Sequence, residues 1–215
     1  YLLTKEYIVA LRGAKITLTK EKEDPTIAIL IPARDESKVI SNLLDSIKKQ
    51  TYKIDPKDIY IIVESKKDKT IEIAKKRNIN IILRKNLTNR RRKGYALDDA
   101  IKEILKKKKH YDIYFIFDAD NILDRNYFKE MIKSYKKGYD IGIGYRNTKN
   151  GNMSIYSACS SLTFSMINTF SNNYKMKHNI TLTVSGTGFY IKGDILEELG
   201  GYPFNSLTED YELTL

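Results

Sequence analysis

The sequence contains no tryptophan, a single cysteine, four prolines and no run of about 18 consecutive apolar residues, and each scarcity closes off a class of protein. Cys159 alone cannot form an intrachain disulfide, which excludes a disulfide-stapled scaffold and fits a reducing compartment. Without a long apolar run no segment reads as a membrane-spanning helix, and the N-terminus lacks the apolar core of a signal peptide. Few prolines, 11 glycines and 41% hydrophobic residues exclude a fibre or a disordered tail. The chain starts at Tyr1 instead of Met, so it is expected to be a piece of something longer. Its 215 residues suit one large domain over 1–215 better than two small ones. The 38 Lys+Arg against 27 Asp+Glu leave a charge of +11, which favours anionic partners: nucleic acid, an acidic membrane surface or a phosphorylated small molecule.

Apolar runs rich in β-branched residues recur at Thr26 to Ile31, Ile59 to Val63, Ile79 to Leu83 and Ile113 to Phe117. They read as strands buried on both faces. Helical spacing links Val39, Ile40, Leu43, Leu44 and Ile47, and again Ala96, Leu97, Ala100, Ile101, Ile104 and Leu105. The β-α-β-α-β-α-β order predicts an α/β fold with a mostly parallel sheet and right-handed crossovers. A further helix is expected from Tyr127 to Tyr135, ending near Gly138, and a strand from Tyr139 to Tyr145. Gly151 to Tyr174 carries no charge; Ile155, Cys159, Leu162, Met166 and Phe170 fall on one helical stripe. An amphipathic core helix is the first expectation, and a helix lining an acceptor groove or touching a membrane surface the second.

Ligands of open parallel sheets bind at the carboxyl ends of the strands. Three such ends here deliver acids: Pro32-Ala33-Arg34-Asp35-Glu36, Glu64-Ser65 and Asp118-Ala119-Asp120-Asn121. Alternate residues of an extended segment point the same way, so Asp118 and Asp120 could share a divalent cation and leave positions for phosphate oxygens. The competing reading has Asp120 or Asn121 merely capping a following helix. Arg84, Lys85, Arg90, Arg91, Arg92 and Lys93 lead into a helix start, where Lys93 and backbone amides could hold phosphate. Lys106 to Lys109 sit at that helix's C-terminus and read as solvated. Gly186-Thr187-Gly188 places two glycines where backbone must approach something closely, though no strand is expected to lead into a helix there; Thr208-Glu209-Asp210 places acids at a helix start.

In this order the segments resemble the inverting glycosyltransferases of family 2, which have a GT-A nucleotide-sugar-binding fold. Pro32 to Glu36 looks like the family's Pro-Ala-Tyr/Arg-Asn-Glu motif, with Asp35 at the usual Asn. Glu64 stands where the family normally has Asp, keeping the charge with a longer reach. Arg92 to Leu97 is similar to Gly-Lys-Gly-x-Ala-Leu, and Asp118 to Asp120 to the Asp-x-Asp motif. The resemblance implies a donor site of Pro32, Ala33, Arg34, Glu36, Glu64, Lys93, Asp118 and Ala119, with Mn2+ or Mg2+ on Asp120. It implies an acceptor side at Gly186, Thr187 and Gly188, and Asp210 as catalytic base with Glu209 beside it.

The membrane-associated branch, related to cellulose, chitin and hyaluronan synthases, is the nearest likeness. It carries a Gln-x-x-Arg-Trp motif after Thr-Glu-Asp. The expectation is therefore a catalytic domain cut before its C-terminal part, at the cytoplasmic face of the cell membrane. The implied donor is a UDP-sugar, of GlcNAc or glucose, and the implied acceptor a saccharide or lipid-linked molecule, not nucleic acid. A nucleotidyltransferase and a basic nucleic-acid-binding protein are the alternatives. The first would leave Asp210 idle, and the second explains neither the acids at three strand ends nor Asp210.

Overall fold

The isoleucine-rich runs form the centre of the molecule. The computed structural model describes residues 24–85, 87–148, 153–178 and 180–214. Its strands are β1 (Ile27–Pro32), β2 (Ile59–Val63), β3 (Asn80–Leu83), β4 (Ile113–Ile116), β5 (Ile141–Ile143) and β6 (Phe189–Lys192). They make one six-stranded sheet in the order β3-β2-β1-β4-β6-β5. The β3-β2-β1-β4 part is parallel, whereas β6 runs antiparallel to both β4 and β5. The four expected parallel strands are present to within a residue or two at their ends. The strand β6 is not foreseen in the sequence, and neither is its insertion between β4 and β5.

Helices α1 (Ile40–Lys48), α2 (Thr70–Lys76) and α3 (Lys93–Lys106) connect the parallel strands, and α4 (Tyr127–Lys136) leads from β4 to β5. The period-2 alternation of the strands divides the core between two faces. Ile29, Ile31, Ile61, Val63, Phe115 and Phe117 pack under α1 and α4 against Leu43, Leu44, Ile47, Phe128 and Ile132. Ala28, Leu30, Ile62, Tyr114, Ile116 and Ile191 face the other way, onto Leu97, Ala100, Ile101 and Ile104 of α3. Each fully buried Ile or Leu in these layers contributes about 1.5–3 kcal/mol. This explains why the strand runs are apolar on both faces.

Beyond β5 come α5 (Ile155–Met166), a π-helical segment (Ile167–Asn172) and α6 (Asn173–Lys177). The expected burial of this uncharged stretch is corrected here. None of the residues in these three elements is buried, and Ile155 and Leu162 are 82% and 63% exposed. No other described element covers the helix, whose polar contacts run to its own turns and to the strand-end loop at Tyr145 to Asn147. Gly151 and Asn152, at the start of the stretch, lie outside the described residues. After β6, α7 (Gly193–Glu198) turns the chain back, and α8 (Glu209–Thr214) follows. Among the described residues no helix is long and apolar enough to cross a membrane.

Candidate active site

The carboxyl ends of β1, β2 and β4 share one rim, and the loop entering β6 joins them because β6 pairs with β4. Phe189 lies opposite Ile116, so the preceding glycines fall beside the Asp118 segment. The Gly188 amide donates to the Ile116 carbonyl at 2.9 Å. Thr187 is buried, and its hydroxyl accepts from the Asp118 amide (2.7 Å) and donates to Asn121 Oδ1 (2.5 Å). Thr187 therefore braces the rim from inside. Gly186 and Gly188 have positive φ, +31° and +67°, a region that disfavours any residue with a Cβ. The two glycines precede a strand that runs into α7, contrary to the sequence expectation.

Asp118 and Asp120 are more exposed than the buried Ala119 between them, but the segment is a turn and not the extended run expected, closed by the Asn121 amide on the Asp118 carbonyl at 3.1 Å. Ala33 and Ala119 both place their methyl groups in the core, so only their backbones reach the rim. Asp120 is exposed, and no helix begins there to be capped; α4 starts at Tyr127, and Asp124 is the residue that accepts from the Asn126 amide, at 2.9 Å. That overturns the capping alternative. The carboxylates of Asp118 and Asp120 are oxygen donors of the kind a hard cation takes when phosphate oxygens complete its shell, whereas Asn121 Oδ1 is taken by the Thr187 hydroxyl and the Asp118 amide. Among the described residues no cluster of three or more His, Cys, Asp or Glu forms a self-sufficient metal site.

Lys93, first residue of α3, reaches Asp118 Oδ1 at 2.5 Å and also donates to the Gly186 carbonyl. On the other side of the same residue the Gly186 amide donates to Asp210 Oδ2 at 2.6 Å, and Asp210 Oδ1 accepts from the Tyr211 amide at 2.9 Å. Lys93, Asp118, Gly186 and Asp210 thus converge, although they come from four separate segments. Glu209 is half-buried beside them. Burial raises its pKa, the adjacent Asp210 and Asp118 raise it further, and Lys93 and a backbone hydrogen bond oppose the shift without cancelling it. Ahead of α8, the Ser206 amide donates to Glu212 at 3.1 Å and ties the incoming loop to the helix.

The Pro32 to Glu36 loop is held from the β2 side. The Ala33 amide donates to the Ile62 carbonyl at 2.9 Å. Asp35 sits at φ +58°, where Asp and Asn are tolerated, and its amide donates to Asp68 at 2.9 Å. Arg34 is exposed, with Nε 3.7 Å from Glu64 Oε2, and Glu36 is half-buried and starts the turn into α1 through its carbonyl.

The six-cation run divides in two. Arg84 is buried and joins Glu64 and Asp99, both at 2.8 Å. Arg90 pairs with Asp98 and Asp99 and lies over the Tyr95 ring, 4.4 Å from its centroid. These two therefore do not face phosphate, a correction to reading the run as one anion-binding cluster. Arg92 donates to the Asn205 carbonyl at 3.2 Å, tying α3 to the loop before Asp210. Lys109, expected to be merely solvated, instead lies near the Tyr60 and Tyr111 rings and 3.7 Å from Asp58. The inward arginine and the Asp68 clamp were missed in the sequence.

Comparison with known proteins bears on the family and the fold. The chain is 25% identical over 211 residues to the "Probable glycosyltransferase YdaM" of Bacillus subtilis (strain 168), covering 90% of this chain and 47% of that one. The chain thus spans about half the length of the relatives it matches. Among solved structures, the mannosyltransferase PcManGT from Pyrobaculum calidifontis in complex with GDP-Man and Mn2+ superposes with a TM-score of 0.63 at 18% identity, over 99% of this chain and 60% of that one. S. aureus TarS 1-349 in complex with UDP-GlcNAc gives 0.59 at 15% identity, over 86% and 52%. The profile described as "Glycosyl transferase family 2" matches residues 28–200, most of the chain, and the mostly parallel α/β sheet is the GT-A fold of these structures; the chain belongs to glycosyl transferase family 2.

Proposed function

We propose that this chain transfers a sugar, GlcNAc or glucose, from a UDP-sugar to a saccharide or lipid-linked acceptor with inversion at the anomeric carbon. The observation that carries the proposal is the convergence of Asp210 and of Lys93, with Asp118 paired to it, on the backbone of Gly186. In one in-line displacement, Asp210 takes the proton of the acceptor hydroxyl as that oxygen attacks. Two backbone amides orient its carboxylate, and Gly186 to Gly188 border the acceptor's approach. The Lys93 ammonium turns towards the departing diphosphate, and Asp118, Glu64 and the Pro32 to Glu36 loop hold the nucleotide. A divalent cation at Asp120, Mn2+ or Mg2+, supplies neutralisation of the diphosphate charge when bound.

The test is thermal stabilisation by UDP, GDP, CDP and ADP with and without Mn2+. Manganese-dependent stabilisation by UDP is expected, and no response to any nucleotide overturns the proposal. A position on the cytoplasmic face of the cell membrane belongs to the same reading, supported by the +11 charge and the exposed apolar residues of α5. Sedimentation with vesicles rich in anionic lipid tests it; equal recovery with and without vesicles speaks against it. The inward commitment of Arg84 and Arg90 weakens the nucleic-acid alternative.

A further inference from the structure

We infer that Arg84 is a positioning residue that sets the nucleobase selectivity of the donor site, by holding one oxygen of Glu64 so that only the other is offered to the ligand. The inference rests on the proposed nucleotide-sugar reading and concerns which nucleobase the rim accepts.

Arg84 directly follows β3, and its amide donates to the Val63 carbonyl at 2.9 Å, which extends the parallel pairing by one residue beyond the strand. Its guanidinium consequently lies alongside Glu64, the first residue after β2. The Arg84 side chain is 1% exposed. Each of its three nitrogens donates once: Nη1 to Glu64 Oε1 at 2.8 Å, Nε to Asp99 Oδ2 at 2.8 Å and Nη2 to the Arg90 carbonyl at 2.5 Å. A buried guanidinium is costly to strip of a partner, so Glu64 Oε1 is not readily released to a ligand. The other oxygen, Oε2, points along the rim towards Arg34 Nε at 3.7 Å. Glu64 is 17% exposed and so retains access to solvent at the strand end.

The rim therefore presents one carboxylate acceptor beside one exposed cationic donor. Uracil complements that pair with a single imide N–H flanked by carbonyls, which Glu64 Oε2 and Arg34 can meet. Guanine presents two adjacent donors, the ring N–H and the exocyclic amine, which a carboxylate meets by using both oxygens side by side. With Oε1 taken by Arg84, one guanine donor is left without a partner. Cytosine and adenine present an unprotonated ring nitrogen, which a carboxylate oxygen repels. A missing hydrogen bond of this kind corresponds to about a 10-fold preference for uracil. The extra methylene of Glu64 also gains a purpose, since it carries the carboxylate far enough to meet Arg84 from below and the ligand from above.

Dissociation constants for UDP, GDP and CDP, measured by calorimetry with Mn2+ on the whole chain, test this. The unaltered protein is expected to bind UDP about 10-fold more tightly than GDP. Arg84→Lys, which keeps a charge but loses the fork, is expected to bring the GDP/UDP ratio close to unity. Asp99→Asn, which weakens the hold on Arg84 Nε and on Arg90 but leaves the Arg84 Nη1 to Glu64 bond in place, should lower thermal stability and leave that ratio unchanged. Should Arg84→Lys not fold, Glu64→Gln keeps the fold and the test: Arg84 holds the amide oxygen, the amide nitrogen faces the rim, and preference shifts from UDP towards CDP. A folded Arg84→Lys with the original GDP/UDP ratio, or a Glu64→Gln with the original CDP/UDP ratio, overturns the inference and leaves the transferase reading standing. Tighter binding of GDP than UDP by the unaltered protein does the same. Binding of none of the three overturns the donor-site reading itself.

Discussion

The Gly186 amide donates to Asp210 Oδ2 at 2.6 Å, and the carbonyl of the same residue accepts from the Lys93 ammonium. One residue's backbone thus connects the residue proposed to face the diphosphate with the residue proposed to deprotonate the acceptor. Gly186 tolerates no larger residue easily, because its φ is +31° and a Cβ there would lie 3.3 Å from Asp210 Oδ2. The spacing between donor and acceptor chemistry is set by backbone as much as by side chains.

Asp210→Asn should remove the proton acceptor while its amide oxygen still takes the Gly186 N–H. Transfer is expected to fall by about 10²- to 10⁴-fold with donor binding maintained. Steady-state transfer and UDP calorimetry on the same preparation check this, and near-normal transfer rules out Asp210 as the base.

Gly94→Ala places a methyl group into the Phe204 carbonyl oxygen and close to Asn205 Cα, both backbone atoms of the loop that leads to Asp210. Neither can rotate away. The substitution is expected to destabilise by about 1–3 kcal/mol, read as a lower urea midpoint, and to slow transfer because that loop carries α8. An unchanged midpoint would mean that the α3 N-terminus does not bear on the loop.

Much of this architecture is legible from local pattern. Ile59 to Val63 and Ile113 to Phe117 announce themselves because strands covered on both faces must be apolar throughout. The extended run expected through Asp118 and Asp120 is instead a turn, closed by the Asn121 amide on the Asp118 carbonyl. What escapes a local reading depends on partners far along the chain. Phe189 to Lys192 owes its place between β4 and β5 to pairing with residues more than 40 positions away, which no local pattern carries. Arg84 reads as one more surface cation in a basic run; only the two carboxylates contributed by β2 and α3 make its burial tolerable. The stripe of Ile155, Leu162 and Met166 predicts a buried face, but periodicity reports amphipathic spacing and does not supply the element that would cover it.

Asp68 carries a pH signature. Burial raises its pKa, but the hydrogen bonds from Thr70 and the Asp35 amide outweigh that and leave it below the ordinary value of 3.8. A depressed acid contributes stability that is fully present above its unfolded pKa and lost as the pH falls through the folded one. Between neutrality and pH 4.5 this contribution should be constant, and below about pH 4 it should fade. Asp68→Asn is expected to lower the melting temperature at pH 7, with the gap to the unaltered protein narrowing in acid. A gap that stays constant down to pH 2.5 would show that the Asp35 clamp is not carried by the charge.

Glu209 has the opposite sign. Its pKa is raised, first by burial and then by Asp210 and Asp118, against the pull of Lys93. A raised acid favours the folded state in its protonated form, so its contribution is complete below the unfolded pKa and is lost as the pH rises through the folded value. At pH 7 the ionised side chain therefore opposes folding, and Glu209→Gln should raise the melting temperature there while making no difference below about pH 4. Lys93 provides an internal control. In a Lys93→Met background the attraction that offsets the crowding of acids is gone, so the gain from Glu209→Gln should be larger than in the unaltered protein. A double-mutant cycle of melting temperatures at pH 7 and pH 3.5 measures this directly. Equal gains in both backgrounds at pH 7 would separate Glu209 electrostatically from the Lys93 and Asp118 pair.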